Sequence, residues 1–487
     1  MNTELLKLYP EKLWKNFADI CNIPHPSGHL EPALAFLKKW ATEHRVELHQ
    51  DEIGNIIMRK PATPGMENRK GIVLQGHIDM VPQKNSDTVH DFTKDPINTY
   101  IDTEGWVRAR GTTLGADNGI GCAAAMAILE SNDLQHGPIE LLVTVDEETG
   151  MTGAFGLKND SLKGDILINL DSEDEGELYV GCAGGMDANF SMNFSMMETP
   201  ANMQGVEIAI TGLKGGHSGM DINLGRANAN KLLARLLKKT SQSFDYHVAF
   251  INGGSLRNAI PREAFATIVI PNQKIEEFKA FVVVFTDIVS KEFAVTEPDL
   301  SVSVKTADTP KEVINRADRE KIINLVYAIP NGVMRMSDSM PGLVETSTNL
   351  ALVKAKNGKL QIANLLRSSV DTAKAALGYK MEAIAELADV EIELTGAYPG
   401  WKPNINSPIL KTALEVYEKK FGKKPEIKAI HAGLECGLFS TVYPNWDMIS
   451  FGPTIRNPHS PDERVNVESV GKFWDFLVEI LKNAPQK

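Results

Sequence analysis

The sequence is poor in cysteine and has no long basic or apolar segment, and each absence excludes a class of protein. Its 487 residues include four cysteines without a CxxC pattern, so neither a disulfide framework nor a thiolate zinc site is indicated. The net charge of −12, with no Lys/Arg block, argues against a nucleic-acid groove or a polybasic membrane surface. No segment resembles a signal peptide or could cross a bilayer. We therefore expect a cytoplasmic protein that recognises a small molecule, with no nucleic-acid or membrane partner.

The length and the order of the predicted elements indicate one domain interrupted by another. A chain of 487 residues is too long for one ordinary core. Residues 1–184 alternate apolar strands with helices, as in an α/β domain with a mostly parallel sheet, and residues 400–487 restore that alternation. Residues 185–399 follow an α+β order, so we predict an inserted α+β domain. The turn-rich segment 395–408 is predicted to be a linker.

One predicted strand ends in three consecutive carboxylates. The apolar run 141–145 is followed by Asp146, Glu147 and Glu148. Like charges this close together disfavour ionisation unless a cation or a proton is shared between them. The carboxyl ends of strands in α/β sheets are also where ligands bind. The pattern favours a metal site, in which Asp146 would be structural, and the alternative is a solvated acidic turn.

Two further strands end in potential ligands. The run 71–76 leads to His77, and Asp79 lies two residues later, so both side chains point the same way on a strand. Asp79 could hold the second ring nitrogen of a metal-binding His77, although His77 could instead be a core histidine. The run 166–170 ends in Asp171.

A glycine-rich loop carries Asp117 at the entrance to a predicted helix. Within that helix Gly119, Gly121 and Ala124 imitate a dinucleotide-binding fingerprint, which raises the alternative of a nicotinamide oxidoreductase. The match is weak, because the pattern starts inside the helix and the acidic residue about 20 positions on begins the next strand.

Imidazole and carboxylate side chains together favour zinc or a neighbouring transition metal over calcium or magnesium. The five candidate ligands are more than a single zinc ion needs. Two metals about 3.5 to 4 Å apart, bridged by one carboxylate, would use all of them. Such a site also requires a separate general base. The candidate ligands are His77, Asp117, Glu148, Asp171 and His459.

These residues lie in motifs that resemble a known enzyme family. HIDMV, GADNGIG, VDEETG, NLDSEDEG and HSPDERV occur in this order around an inserted domain. They resemble the dinuclear zinc peptidases that include carboxypeptidase G-type enzymes. Across nearly the whole chain the closer resemblance is to the aminoacyl-histidine dipeptidase branch of that family.

The resemblance implies a role for each matching residue. Asp117 would bridge two zinc ions, for which cobalt or manganese could substitute. Glu148 and His459 would complete one metal site, and His77 and Asp171 the other.

Further roles follow from the same motifs. Asp79 would be the partner of His77, and Glu147 the general base. The family also has a cis peptide after the bridging aspartate, so the resemblance predicts a cis bond between Asp117 and Asn118.

The inserted domain resembles the family's lid, which binds substrate. His217, in LKGGHSGMDINLGRA, matches a histidine that stabilises the oxyanion, although it could also be a glycine-loop histidine at a subunit or domain contact. Asn252, Asn258 and Arg367 resemble substrate-contacting residues. Arg367 could bind the substrate's C-terminal carboxylate or form a structural ion pair. His431 could line the pocket or simply pack.

The predicted function is therefore a dinuclear zinc dipeptidase. Its substrates would be dipeptides with a free N-terminus, notably Xaa-His such as β-alanyl-histidine. Alternatives are an N-deacylase or tripeptidase on the same scaffold, and a metal-loaded scaffold protein without catalysis. A homodimer is possible, because in shorter family members the lid reaches across a dimer.

Overall fold

The structure is a computed structural model that describes residues 3–487. The chain divides into two compact units. The first unit contains the chain up to Gly181 together with Trp401–Ala429 and Leu434–Lys487, and the second contains Cys182–Gly400 and Ile430–Gly433.

The first part of the chain alternates helices and strands. Helix α1 buries Leu13, Phe17 and Ile20, whose spacing of three to four residues places them on one face. The helices are α1 (Glu11–Cys21), α2 (Glu31–His44), α3 (Ala116–Glu130) and α4 (Thr152–Gly156), after a 3-10 turn at Leu5–Lys7. The strands are β1 (Glu47–Gln50), β2 (Ile56–Lys60), β3 (Ile72–His77), β4 (Thr99–Ile101), β5 (Trp106–Ala109), β6 (Ile139–Thr144), β7 (Ile166–Asn169) and β8 (Glu177–Cys182).

The middle part consists mainly of longer antiparallel strands. Its strands are β9 (Gly184–Asn193), β10 (Met196–Glu198), β11 (Met203–Thr211), β12 (Gly216–His217), β13 (His247–Gly253), β14 (Ala259–Ile260), β15 (Ala264–Pro271), β16 (Ser301–Ala307), β17 (Glu312–Ile314), β18 (Gly332–Met336), β19 (Val344–Lys356), β20 (Lys359–Ser368) and β21 (Glu391–Tyr398). Its helices are α5 (Ala229–Thr240), α6 (Ile275–Glu292), α7 (Arg316–Ala328) and α8 (Asp371–Ala388), with a 3-10 turn at Asn272–Lys274.

The last part restores the alternation of helices and strands. Its elements are α9 (Pro408–Phe421), β22 (Glu426–Ile430), α10 (Glu435–Val442), β23 (Asp447–Ser450), β24 (Ile455–Arg456), β25 (Arg464–Asn466) and α11 (Val467–Lys482). Within residues 3–487, none of the helices has both the length and the hydrophobicity needed to traverse a bilayer.

The main sheet of the first unit has the order β1-β2-β6-β3-β7-β23-β8-β22. Strands β6, β3, β7 and β23 run parallel, and every residue of β3, β6 and β7 is buried. Strands buried on both faces have continuous apolar sequences, which is why they could be recognised. The predicted α/β fold with a mostly parallel sheet is confirmed. The carboxyl ends of these strands share one edge of the sheet, and the candidate ligands follow them.

The second unit is built on a sheet with the order β16-β11-β15-β13-β19-β20-β9-β21, and β18 also pairs with β19. One hydrophobic core joins this sheet to the four helices α5–α8. The predicted linker 395–408 is wrong at its start. Strand β21 continues to Tyr398, which lies opposite Gly185 of β9, because the backbone pairs with that strand despite the turn-forming residues nearby.

Candidate metal centre

The three strand-end motifs meet at one edge of the first unit's sheet. His77 is the last residue of β3 and is buried. Glu147 and Glu148 lie in the turn after β6, and Asp171 follows the end of β7. Parallel strands in register bring these side chains together.

Asp117 directs its two carboxylate oxygens at two different histidines. Oδ1 lies 3.1 Å from Nε2 of His77, and Oδ2 lies 3.3 Å from Nε2 of His459. Asp171 Oδ1 is 3.4 Å from the same nitrogen of His77, and Glu148 Oε1 is 2.9 Å from that of His459. The geometry thus gives two ligand sets that share Asp117, and in each set the ligand atoms lie within 4.8 Å of one another. The peptide bond between Asp117 and Asn118 is cis, as the resemblance predicted.

These donor atoms fit a pair of cations. Glu148 Oε1 is buried and lies 2.9 Å from Nε2 of His459, so either a proton or a cation must lie between these two lone pairs. Hydrogen bonds from His459 to Asp117 and Glu148 raise the pKa of His459 to about 11. Burial opposes protonation of His77, but Asp171 and Asp117 outweigh it and hold the pKa of His77 well above its usual value. The cluster therefore requires positive charge, which metal ions would supply.

Glu147 is suited to proton transfer. Burial and the nearby carboxylates of Glu435, Glu148 and Asp117 raise the pKa of Glu147 to about 8, against the opposing effect of His77. Cations held by the neighbouring carboxylates would lower that pKa again. The pKa of Glu147 can then lie near neutral pH, as a general base requires.

Asp79 contacts His77 with both its backbone and its carboxylate. Nδ1 of His77 lies 2.9 Å from the backbone oxygen of Asp79 and 3.4 Å from its carboxylate. The carboxylate also accepts the backbone N–H groups of Glu147 and Glu148, at 3.0 and 3.2 Å, and the hydroxyl of Ser27 at 2.8 Å. Asp79 thus fixes the tautomer of His77 through its backbone and holds the turn that carries Glu147 through its side chain.

Two buried glutamates near the site were not assigned from the sequence. Glu463 accepts the backbone N–H groups of four consecutive residues, 114–117. Glu463 belongs to the motif HSPDERV, but the sequence alone assigned it no role. Glu435 accepts hydrogen bonds from Gln75 at 2.6 Å and Thr144 at 2.8 Å, and thereby joins β3 to β6 beneath the ligands.

The glycines that imitated a dinucleotide fingerprint serve helix packing. Gly119 and Gly121 lie inside α3. A Cβ atom at Gly119 would lie 3.4 Å from Phe17, and one at Gly121 would lie 2.8 Å from the backbone oxygen of Leu170. Their absent side chains allow α3 to approach α1 and the end of β7, which explains the pattern without a nucleotide.

In the second unit, the tautomer of His217 is fixed by its own loop. Nδ1 of His217 accepts the backbone N–H groups of Gly219 at 3.2 Å and Met220 at 3.0 Å. The proton of the neutral ring therefore lies on Nε2, which is free to donate. Burial, and then the charge of Arg367, lower the pKa of His217 to about 4.

Arg367 is buried without a carboxylate partner. Its side chain is 5% exposed, and no acidic group among residues 3–487 forms an ion pair with it. Its contacts are the hydroxyls of Ser218 and Tyr398. No ion pair supports the alternative of a structural role, although the charge of Arg367 opposes the rise in the pKa of Asp187 that burial causes. The guanidinium is therefore still able to bind an anionic ligand.

Two of the remaining predicted residues, Asn258 and His431, lie near His217 or Arg367. Asn258 lies beside the His217 loop, because its backbone oxygen accepts the N–H of Ser218 at 2.8 Å. His431 is buried, with Nε2 2.7 Å from Oγ of Ser347, and burial followed by the charge of Arg367 lowers the pKa of His431 to about 3.

Asn252 does not join this group. It lies opposite Lys354 of β19, whereas Arg367 lies opposite Ser347. The two positions on β19 are about 20 Å apart at the usual rise per residue, too far for one dipeptide to contact Asn252 and Arg367.

Comparison with known proteins gives full-length relatives. The profile of peptidase family M20/M25/M40 matches residues 73–483. The cytosol non-specific dipeptidase of Escherichia coli (strain K12) is 50% identical over 485 residues, which cover 100% of both chains. The crystal structure of aminoacylhistidine dipeptidase from Vibrio alginolyticus is 49% identical and superposes with a TM-score of 0.94 over 100% of this chain and 99% of that one. Aminopeptidase PepT from Bacillus cereus ATCC 10987, at 17% identity, shares the fold with a TM-score of 0.57 over 98% of both chains.

Proposed function

Because this chain belongs to peptidase family M20/M25/M40 and is a metal-dependent dipeptidase, we propose that it hydrolyses dipeptides with a free N-terminus, notably Xaa-His such as β-alanyl-histidine. The observation that carries the proposal is the carboxylate of Asp117, which faces His77 with one oxygen and His459 with the other. We propose zinc as the metal, two ions per subunit, because imidazole and carboxylate donors match its preference, with cobalt or manganese as substitutes.

When bound, the two ions would polarise the scissile carbonyl and lower the pKa of a water molecule. The residues of the chain supply the rest of the chemistry. The carboxylate of Glu147 takes the proton of the attacking water and delivers it to the nitrogen of the leaving amine. Asp79 holds Glu147 in position by accepting its backbone N–H.

The second unit would contribute two contacts to the substrate. The Nε2–H group of His217 is a neutral donor suited to the oxyanion that develops on the scissile carbonyl. The buried guanidinium of Arg367 forms no ion pair and is suited to the C-terminal carboxylate of the dipeptide. Recognition of the C-terminal carboxylate would limit cleavage to peptides of one length, which the metals alone cannot do.

We also propose a cytoplasmic location, because the Escherichia coli relative is named for the cytosol. A homodimer in which His217 serves the partner's site is a further proposal. It rests on the resemblance to shorter family members.

The proposal is tested by the substrate range of metal-reconstituted protein. We expect Xaa-His dipeptides to be cleaved well, and the matching tripeptides and N-acylated dipeptides to be cleaved poorly. A preference for N-acylated substrates would instead establish the deacylase alternative, and a preference for tripeptides the tripeptidase.

A substitution at Arg367 distinguishes recognition of the substrate's carboxylate from catalysis. Arg367→Ala should lower kcat/KM for Xaa-His by about 100-fold, as for the loss of a hydrogen-bonded charge pair, and should affect Xaa-His amide much less. Equal losses on the acid and the amide would show that Arg367 does not bind the carboxylate.

A further inference from the structure

The guanidinium of Arg367 is held by two hydroxyl groups. Its Nε donates to Oγ of Ser218 at 3.3 Å, and its Nη1 donates to Oη of Tyr398 at 3.4 Å. Ser218 is 1% exposed and Tyr398 is partly buried. Neutral hydroxyls fix the plane of the guanidinium without neutralising its charge, so the group is oriented and still able to bind an anion.

The sheet places Tyr398 beside Arg367 by means of a glycine. In the register of three adjacent strands, Gly185 of β9 lies opposite Arg367 of β20 on one side and opposite Tyr398 of β21 on the other. A Cβ atom at Gly185 would lie 2.6 Å from Cζ of Tyr398, and one at Gly433 would lie 3.2 Å from Cε2. The tyrosine ring therefore crosses β9 over a position that only glycine leaves open, and its hydroxyl reaches the arginine.

The direction of this hydrogen bond determines what the hydroxyl can do next. Because the oxygen of Tyr398 accepts from a guanidinium that has no acceptor atom, the phenolic proton points elsewhere. Within residues 3–487 the hydroxyl makes no second hydrogen bond. Burial raises the pKa of Tyr398, so the proton remains in place at neutral pH. Arg367 and Tyr398 thus present N–H and O–H donors side by side.

We propose that Tyr398 is a substrate-binding residue that donates its O–H to the same C-terminal carboxylate that Arg367 binds. The inference rests on the proposed function of Arg367 and extends it. The recognition site for the free carboxylate would consist of a bound guanidinium, one phenolic hydroxyl and the Ser218 hydroxyl that orients the guanidinium. The ligand class is a dipeptide with an unmodified C-terminus.

Tyr398→Phe tests the proposal, because it removes only the hydroxyl and keeps the ring over Gly185. Steady-state kinetics on Xaa-His and on Xaa-His amide should show KM for the acid raised about tenfold or more, as for a hydrogen bond to a charged group. The kcat for the acid and both constants for the amide should change less than about twofold. The matched control is Tyr379→Phe, since Tyr379 is 68% exposed on α8.

A second variant displaces the hydroxyl of Tyr398 without changing Tyr398 itself. Gly185→Ala places a methyl group against the ring and should reproduce the acid-specific rise in KM. Thermal unfolding of each variant identifies a loss that comes from misfolding, which would lower activity on acid and amide alike.

The roles of Arg367 and Tyr398 can be refuted separately. If Arg367→Ala discriminates acid from amide while Tyr398→Phe leaves KM for the acid unchanged, the role of Tyr398 is refuted and that of Arg367 stands. If Arg367→Ala does not discriminate either, the carboxylate site itself is refuted, and the inference falls with it.

Discussion

The backbone N–H of Asp117 donates a hydrogen bond to Oε1 of Glu463, 3.2 Å away, although 346 positions separate the two residues. Ala116 donates to the same oxygen at 2.8 Å, and Leu114 and Gly115 donate to Oε2 at 2.7 and 3.0 Å. One buried carboxylate thus fixes the whole loop that carries Asp117, the proposed shared ligand.

Glu463→Gln should weaken metal binding without removing a ligand. The amide NH₂ would face two backbone N–H donors and leave them without an acceptor, so the Asp117 loop should lose its fixed position. We expect metal affinity, measured by competition with a chelator, to fall about 10- to 100-fold. Glu468→Gln is the control, because the Glu468 side chain is 77% exposed. Unchanged affinity in Glu463→Gln would contradict a role in holding the loop.

Removal of metal should abolish activity, and loss of Asp117 should prevent binding of a pair of ions. Asp117→Ala deletes the one carboxylate that faces both histidines. We expect elemental analysis to find at most one metal per subunit in this variant and peptide hydrolysis to be lost. Parent protein that is fully active with a single bound ion would argue against the shared-ligand arrangement.

Glu147→Gln should separate chemistry from metal binding. The substitution keeps the shape of the side chain and the backbone hydrogen bond to Asp79 but removes the base. We expect both metals to remain bound and kcat to fall by roughly two to four powers of ten. A variant nearly as fast as the parent would mean that another group, with Asp146 the next candidate, takes the proton.

His217 should remain neutral in folded protein well below the pH at which an ordinary histidine titrates. Its pKa is lowered to about 4, whereas an unfolded chain binds the proton near pH 6.5. Between these values the unfolded state carries more protons, so the stability contribution of His217 is complete above pH 6.5 and declines as the pH falls toward 4. NMR of ¹⁵N-histidine-labelled protein, with His217→Gln to assign the signal, should show an Nε2–H tautomer at pH 5.5. A protonated ring at that pH would contradict the loop geometry.

Mixed dimers should reveal whose active site His217 serves. Glu147→Gln and His217→Ala proteins are each expected to be nearly inactive alone. If His217 acts across a homodimer, subunit exchange creates sites with an intact base and an intact histidine, and activity returns to a fraction of the parent's. If exchange is demonstrated by differential labelling and no activity returns, His217 acts in its own subunit.

The strand-end ligands could be predicted because parallel strands buried on both faces have an unbroken apolar sequence, so His77, the carboxylates at 146–148 and Asp171 each stand out directly after such a run. The meeting of these strands at one edge follows from the fold class. Their roles as ligands stay predictions, which the metal analyses above would test.

Other features depend on contacts that no local pattern encodes. The four hydrogen bonds of Glu463 join distant segments, and the distance between Asn252 and Arg367 follows from strand register. Tyr398 was assigned to a linker because turn residues follow it, yet pairing with β9 extends the strand to that residue. The backbone oxygen of Asp79 faces the ring of His77 in addition to its carboxylate, a contact that the motif did not predict.

Strand β23 lies between β7 and β8 in the main sheet, although the ribosome makes it after all of residues 182–400. A nascent chain that has emerged only as far as the second unit therefore lacks an interior strand, and it also lacks His459 and Glu463. Long-range pairing of this kind is completed late in folding. If His459 is a metal ligand as proposed, the metal centre stays incomplete until synthesis has passed residue 463.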